Sequence, residues 1–135
     1  MVSDFQRGVQ NNMSKRIGFM FAGQGAQTVG MGEDLYRNSA AARTLFDQAG
    51  KVLERNLSEI CFQGPEAALT ESENCQPAIY TTSLACLAAL QERIALKPVV
   101  CGGLSLGEFA ALTAAESLSF AAGVQLVAIR GCLMN

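Results

Sequence analysis

The segment Gly103-Leu104-Ser105-Leu106-Gly107 sets a serine hydroxyl between two glycines, each two residues away. An apolar run, Pro98-Val99-Val100-Cys101, precedes it, and a helix-like stretch, Glu108-Phe109-Ala110-Ala111-Leu112, follows. Strand, tight turn and helix form the setting in which Gly-x-Ser-x-Gly acts as a nucleophile elbow. Side chains at the glycine positions would clash in so sharp a turn. The serine then sits at a helix N-terminus, whose N–H groups can steady an oxyanion. The competing reading is a plain strand-to-helix turn with Ser105 as the N-cap. The sequence contains no histidine, and a serine hydroxyl is a weak nucleophile without a neighbouring base.

Two other features could join that serine. The loop Ala22-Gly23-Gln24-Gly25-Ala26-Gln27 ends the first apolar run. In a parallel sheet it would lie on the same edge as the elbow, its N–H groups facing an acyl oxygen beside the N–H of Leu106. Gly23-x-Gly25-x-x-Thr28 lacks the third glycine of a dinucleotide fingerprint, and no Gly-Lys-Ser/Thr follows. A simple glycine turn is the other reading. Arg130 stands among Val124, Leu126, Val127, Ala128, Ile129 and Leu133. It either snorkels to the surface or is held inside for a carboxylate, which a guanidinium grips through two parallel N–H bonds. Glu108 fits a solvated first-turn acid favoured by the helix dipole.

The elements that must position these residues follow from pattern. Ile17-Gly18-Phe19-Met20-Phe21 reads as a buried strand, and Val99 to Cys101 as a second one. Glu33 to Lys51 reads as helical, broken near Asn38-Ser39, with Ser39 capping the second piece and Gly50 ending it. Leu35, Leu45, Phe46, Ala49 and Leu53 supply its apolar stripe. Leu57 to Phe62 is a short helix or irregular turn. A long helix is expected from about Pro77 to Arg93, with Pro77 in the first turn, where its missing N–H costs nothing. Its Ile79, Leu84, Leu87, Ala88 and Leu90 recur at helical spacing, and its small remaining residues predict burial around much of its surface. Leu106 to Ala115 is the elbow helix, and Ser119 caps a last helix through Arg130. Strands joined by a helical crossover predict an α/β fold with a parallel sheet. Two strands are too few for a finished sheet, so the chain is expected to be the front part of a larger domain.

Composition narrows the partners. Half of the 135 residues are apolar, and a net charge of −2 offers no field for nucleic acid or an anionic membrane. No apolar run reaches the length of a membrane span. Cysteines at 61, 75, 86, 101 and 132 are odd in number, form no Cys-x-x-Cys and have no histidine co-ligand. Neither a disulfide framework nor a metal site is expected, a reducing cytoplasm is, and most of these thiols are expected to be small core residues. Residues 1–14 read as a disordered tail ahead of a domain at 15–135, and they lack the apolar middle of a signal peptide.

Taken together, Phe21-Ala22-Gly23-Gln24-Gly25-Ala26-Gln27 with Gly30-Met31-Gly32, Thr70 with Gln76-Pro77-Ala78, Gly103 to Leu112, and Arg130-Gly131 with Met134 resemble one family. It is that of the malonyl-CoA:acyl-carrier-protein transacylases and the acyltransferase domains of fatty-acid and polyketide synthases. Four motifs in the right order, over about residues 15 to 135, carry the resemblance. It implies an incomplete, α/β-hydrolase-like large subdomain with the strand–elbow–helix unit, and no ferredoxin-like small subdomain within this stretch. It also implies that Ser105 takes a malonyl group as an ester, that the N–H groups of Gln24 and Leu106 form the oxyanion hole, and that Arg130 pairs with the malonyl carboxylate. Gln76 matches a residue near the pocket. The implied partners are malonyl-CoA and the phosphopantetheine thiol of acyl carrier protein, with no cofactor.

The sequence departs from the family pattern twice. Leu104 stands where the family often has histidine, a variant form that is not read as inactivating. The family's general base is a histidine far downstream, and this sequence has none. The isolated chain is therefore expected to turn over little or not at all. A serine hydrolase of the α/β type shares the elbow and would release free acid to water. A non-catalytic module that binds acyl carrier protein, or pairs with a separate remainder, is the reading from another class.

Overall fold

The computed structural model describes residues 16–134. The expected tail at 1–14 lies outside the described residues, as do residues 15 and 135 at the ends of the expected domain. Among the described residues are two strands, β1 (Gly18–Phe21) and β2 (Val100–Gly103). Seven helices accompany them: α1 (Glu33–Asn38), α2 (Ala40–Leu53), α3 (Leu57–Gln63), α4 (Glu66–Thr70), α5 (Ser72–Gln91), α6 (Gly107–Ala114) and α7 (Phe120–Leu133). The strands are parallel neighbours, Gly18 opposite Val100 and Phe21 opposite Gly103. Parallel neighbours cannot be joined by a hairpin, and α1 to α5 make the crossover. The α/β expectation with a parallel pair is met.

Local chemistry starts the helices. The Ala42 N–H donates to Ser39 Oγ at 3.1 Å and the Ala122 N–H to Ser119 Oγ at 3.3 Å, so both serines cap as their positions suggested. Gly50 does not end α2. The helix runs on to Leu53 and closes at Glu54, whose backbone turns left-handed at φ 53° while its N–H reaches the Gly50 and Lys51 carbonyls. Gly50 instead faces the Arg55 carbonyl, 3.2 Å from where a Cβ would stand.

Helix α5 begins at Ser72, which puts Pro77 inside it and not in its first turn. Proline cannot donate to the carbonyl four residues back. That carbonyl belongs to Glu73, and Arg55 Nη2 donates to it at 2.6 Å while Nη1 donates to Asn74 Oδ1 at 2.7 Å. An external cation thus replaces the missing helical bond, which a scan of local spacing cannot anticipate.

Helix α5 is the centre of the molecule. Every residue from Asn74 to Thr81 is buried, and α2 and α7 pack against it. The rings of Tyr36, Phe46 and Phe62 sit 5.2 to 5.9 Å apart and join α1, α2 and α3. Helix α7 comes so close to the start of α5 that a Cβ on Gly131 would fall 2.4 Å from the Ser72 carbonyl oxygen. The neighbouring Arg130 is thereby laid alongside α5.

The strands depart from the expected burial. Met20 is 84% exposed and Val100 62%, because among the described residues the sheet has two strands and both are edges. The cysteines depart too. Only Cys61 and Cys75 are buried, Cys101 is half-buried, and Cys86 and Cys132 are exposed on the outer faces of α5 and α7. Among the described residues no helix is long and apolar enough to cross a membrane.

Candidate active site

Ser105 is the residue between β2 and α6 at which the chain reverses, and its φ of 54° lies in the left-handed region. A non-glycine residue held there costs roughly 1–3 kcal/mol, and such strain persists where the surroundings over-determine it. The two flanking glycines explain how. A Cβ on Gly103 would fall 2.2 Å from the Gly107 carbonyl carbon, and one on Gly107 would fall 2.4 Å from the Phe21 oxygen. The turn therefore closes on itself and on the end of β1, and the serine side chain is left exposed.

The same closeness brings in the first loop. A Cβ on Gly23 would lie 2.8 Å from the Leu104 carbonyl oxygen, so residues 22–24 run directly against the elbow. Leu106 is buried while Leu104 is 80% exposed. Among the described residues, neither the Gln24 N–H nor the Leu106 N–H has a backbone acceptor. Both expected oxyanion donors thus remain unspent.

The Gln24 side chain is tied to α5. Its Nε2 donates to Ser72 Oγ at 3.3 Å, and its Oε1 accepts from Gln76 Nε2 at 3.4 Å. Gln76 is fully buried. Its Oε1 accepts from Arg130 Nη1 at 2.7 Å, and its Nε2 also approaches Met134 Sδ at 3.2 Å. Arg130 Nη2 then donates to Ser105 Oγ at 2.7 Å. The five residues singled out in the sequence, Gln24, Gln76, Ser105, Leu106 and Arg130, therefore meet at one place. Arg130 is half-buried, with its guanidinium turned to Gln76 and Ser105. Among the described residues it has no carboxylate partner, since the one ion pair there joins Arg37 to Glu33.

Sequence reasoning assigned no part to Ser72 or Phe109. Ser72 holds the Gln24 amide, and Arg130 Cζ lies 5.8 Å from the Phe109 ring centroid. The only local signal for Phe109 was its place one helical turn after Ser105. Two surface hollows lie elsewhere, one beside Asp47, Lys51 and Arg55, the other between β1 and α5. Chemically, the place offers a hydroxyl on a strained turn, two N–H groups without a backbone acceptor and a guanidinium with no counter-ion among the described residues, a set able to receive an acyl group that carries its own carboxylate.

The chain belongs to the acyl transferase domain family, whose profile matches residues 18–135. It is 47% identical over 123 residues to the malonyl CoA-acyl carrier protein transacylase of Bacillus subtilis (strain 168), a match covering 91% of this chain and 38% of that protein. Its fold superposes on the crystal structure of the malonyl CoA-acyl carrier protein transacylase from Clostridium perfringens with a TM-score of 0.83 and 40% identity, over 89% of this chain and 38% of that one. A malonyl-transacylase solved in complex with its type II polyketide-synthase acyl-carrier protein gives a TM-score of 0.84 and 35% identity, over 89% of this chain and 39% of that one. The chain thus spans about 38% of the length of the curated relatives it matches.

Proposed function

We propose that residues 15–135 form the N-terminal part of a malonyl-CoA:acyl-carrier-protein transacylase catalytic domain, α/β-hydrolase-like in its large subdomain, with the ferredoxin-like subdomain and the histidine base supplied from outside this sequence. The observation that carries the reading is the bridge Ser105–Arg130–Gln76. Ser105 attacks the malonyl thioester, its proton passing to the base. The N–H groups of Gln24 and Leu106 receive the oxyanion, and one such donor is worth about 3–4 kcal/mol in the transition state. Coenzyme A leaves, and the phosphopantetheine thiol of acyl carrier protein collects the malonyl group. The elbow at Ser105 is the nucleophile elbow of this reaction, the expected compartment is the cytoplasm, and no cofactor takes part in the scheme.

Arg130 selects the donor. A guanidinium has five N–H donors, of which two are engaged by Ser105 and Gln76. A malonyl carboxylate can take up the remainder, whereas an acetyl group leaves the charge unpaired. Gln76 acts through Arg130, because its side-chain carbonyl oxygen already holds that cation.

The test is loading from malonyl-CoA, read by mass spectrometry of the intact chain. It compares the 135-residue chain with a chimera extended by the segment that follows in the Bacillus subtilis relative. The chimera is expected to form an ester at position 105 and pass it to acyl carrier protein. The short chain should be slower by at least the ~10²–10⁴-fold that a general base supplies. Ser105→Ala should form no ester, and Arg130→Ala should load acetyl as readily as malonyl. Malonyl selectivity that survives Arg130→Ala would remove Arg130 from its role. Free malonate released at the same rate without a thiol acceptor would favour a hydrolase.

A further inference from the structure

Arg130 is held on three sides, and the third holder is the ring of Phe109. Gln76 takes one edge of the guanidinium, Ser105 takes another, and the Phe109 ring lies 5.8 Å from Cζ. We infer that Phe109 is a positioning residue for carboxylate recognition, acting through Arg130. The physical reason is the kind of partner a waiting cation needs. A carboxylate beside Arg130 would neutralise it and compete with an incoming anion. An aromatic ring attracts the cation through its quadrupole and leaves the charge available. The ring also fixes the guanidinium laterally, which Gln76 alone does not, since one hydrogen bond permits rotation about itself. Phe109 can hold this position because it stands in the first turn of α6, one helical turn past Ser105, with its backbone N–H bonded to the Leu106 carbonyl at 3.2 Å.

This inference rests on the reading of Arg130 as the carboxylate-binding residue, so the test separates the two. Malonate is titrated into the 135-residue chain labelled with ¹⁵N, and the Arg130 side-chain resonances are followed. Wild type should show those resonances displaced by the ring and responding to malonate. Phe109→Leu should lose the ring displacement and bind malonate roughly 2- to 30-fold more weakly, the range expected for losing a cation–π contact. Phe109→Tyr, which restores a ring, should recover both. A merely structural role predicts that the leucine variant keeps the wild-type malonate affinity, or that tyrosine fails to restore a lost affinity, and either result overturns the proposal. Equal malonate affinity in wild type and Phe109→Leu overturns it alone. No response of wild-type Arg130 to malonate overturns the carboxylate-binding reading and this inference with it. Should Phe109→Leu unfold, Phe109→Met, also without a ring but of similar volume, takes its place, and wild-type malonate affinity in that variant overturns the proposal.

Discussion

In the layer built from α2, α5 and α7, small residues let backbones touch and eight consecutive residues of α5, 74 to 81, are buried. At the corner of β1, β2 and α6, Met20, Val100 and Leu104 face solvent, and Ser105 stands on a left-handed turn. One chain thus carries a tightly packed half and an open half. Candidate chemistry lies where they meet: Gln76 and Arg130 belong to the packed layer, while Gln24, Ser105 and Leu106 belong to the open corner. Burial orients the cation, and openness leaves the Ser105 hydroxyl reachable.

The largest effect that would sharpen the contrast is in the packed half. A Cβ on Gly123 would stand 2.0 Å from Tyr80 Oη, whose bond to Thr113 Oγ1 is 2.7 Å. Gly123→Leu is expected to cost several kcal/mol, about 1–3 from overpacking and about 1–3 from the lost buried hydrogen bond. Urea unfolding followed by circular dichroism checks it, and an unchanged midpoint would mean that α5 and α7 are not in close contact.

Thiol chemistry gives the next largest difference. Burial pushes the Cys61 thiol up to about 12, whereas Cys132 is exposed. At neutral pH iodoacetamide should label Cys132 readily and Cys61 only after unfolding, since the thiolate is the reactive form. Peptide mapping reads the two rates, and comparable rates would break the comparison.

A smaller effect is expected at the rim of the packed layer. Glu92 Oε2 accepts from Ser39 Oγ at 2.7 Å and its Oε1 from the Ala41 N–H at 2.8 Å. The Ser39 bond first, and the Ala41 N–H second, hold its carboxyl below the ordinary value of 4.5. A depressed folded-state value means that the stabilisation is present above the unfolded-state value and is lost as pH falls through the folded one. Melting temperature should therefore drop on acidification below about pH 4.5 in part through Glu92, and Glu92→Gln should flatten that part of the profile. The same slope in both proteins would discount the cap. The smallest effect belongs to the open corner: Leu104→Ser should move stability by no more than about 0.5 kcal/mol, and a loss above 1 kcal/mol would show that Leu104 is covered.

Much of the frame was legible because it is local. Ser39 and Ser119 announce helix starts by the acceptor they carry, and the glycines around Ser105 announce a turn too tight for side chains. Pro77 misled, since its tolerance inside α5 depends on Arg55, which is distant in sequence and lends a donor to the Glu73 carbonyl. Gly50 misled because it serves contact with the Arg55 carbonyl and not a helix end.

Sequence alone therefore determined the strands, most of the helices, the elbow and the residue types able to do chemistry there, since each is written in spacing and side-chain type over a few residues. Whether Arg130 faces inward, what Gln76 holds, that Phe109 lies beside the guanidinium and which cysteines are buried were decided by packing. Those contacts join residues 21 to 58 positions apart, and only the approach of α7 to α5 across Gly131 brings them within reach.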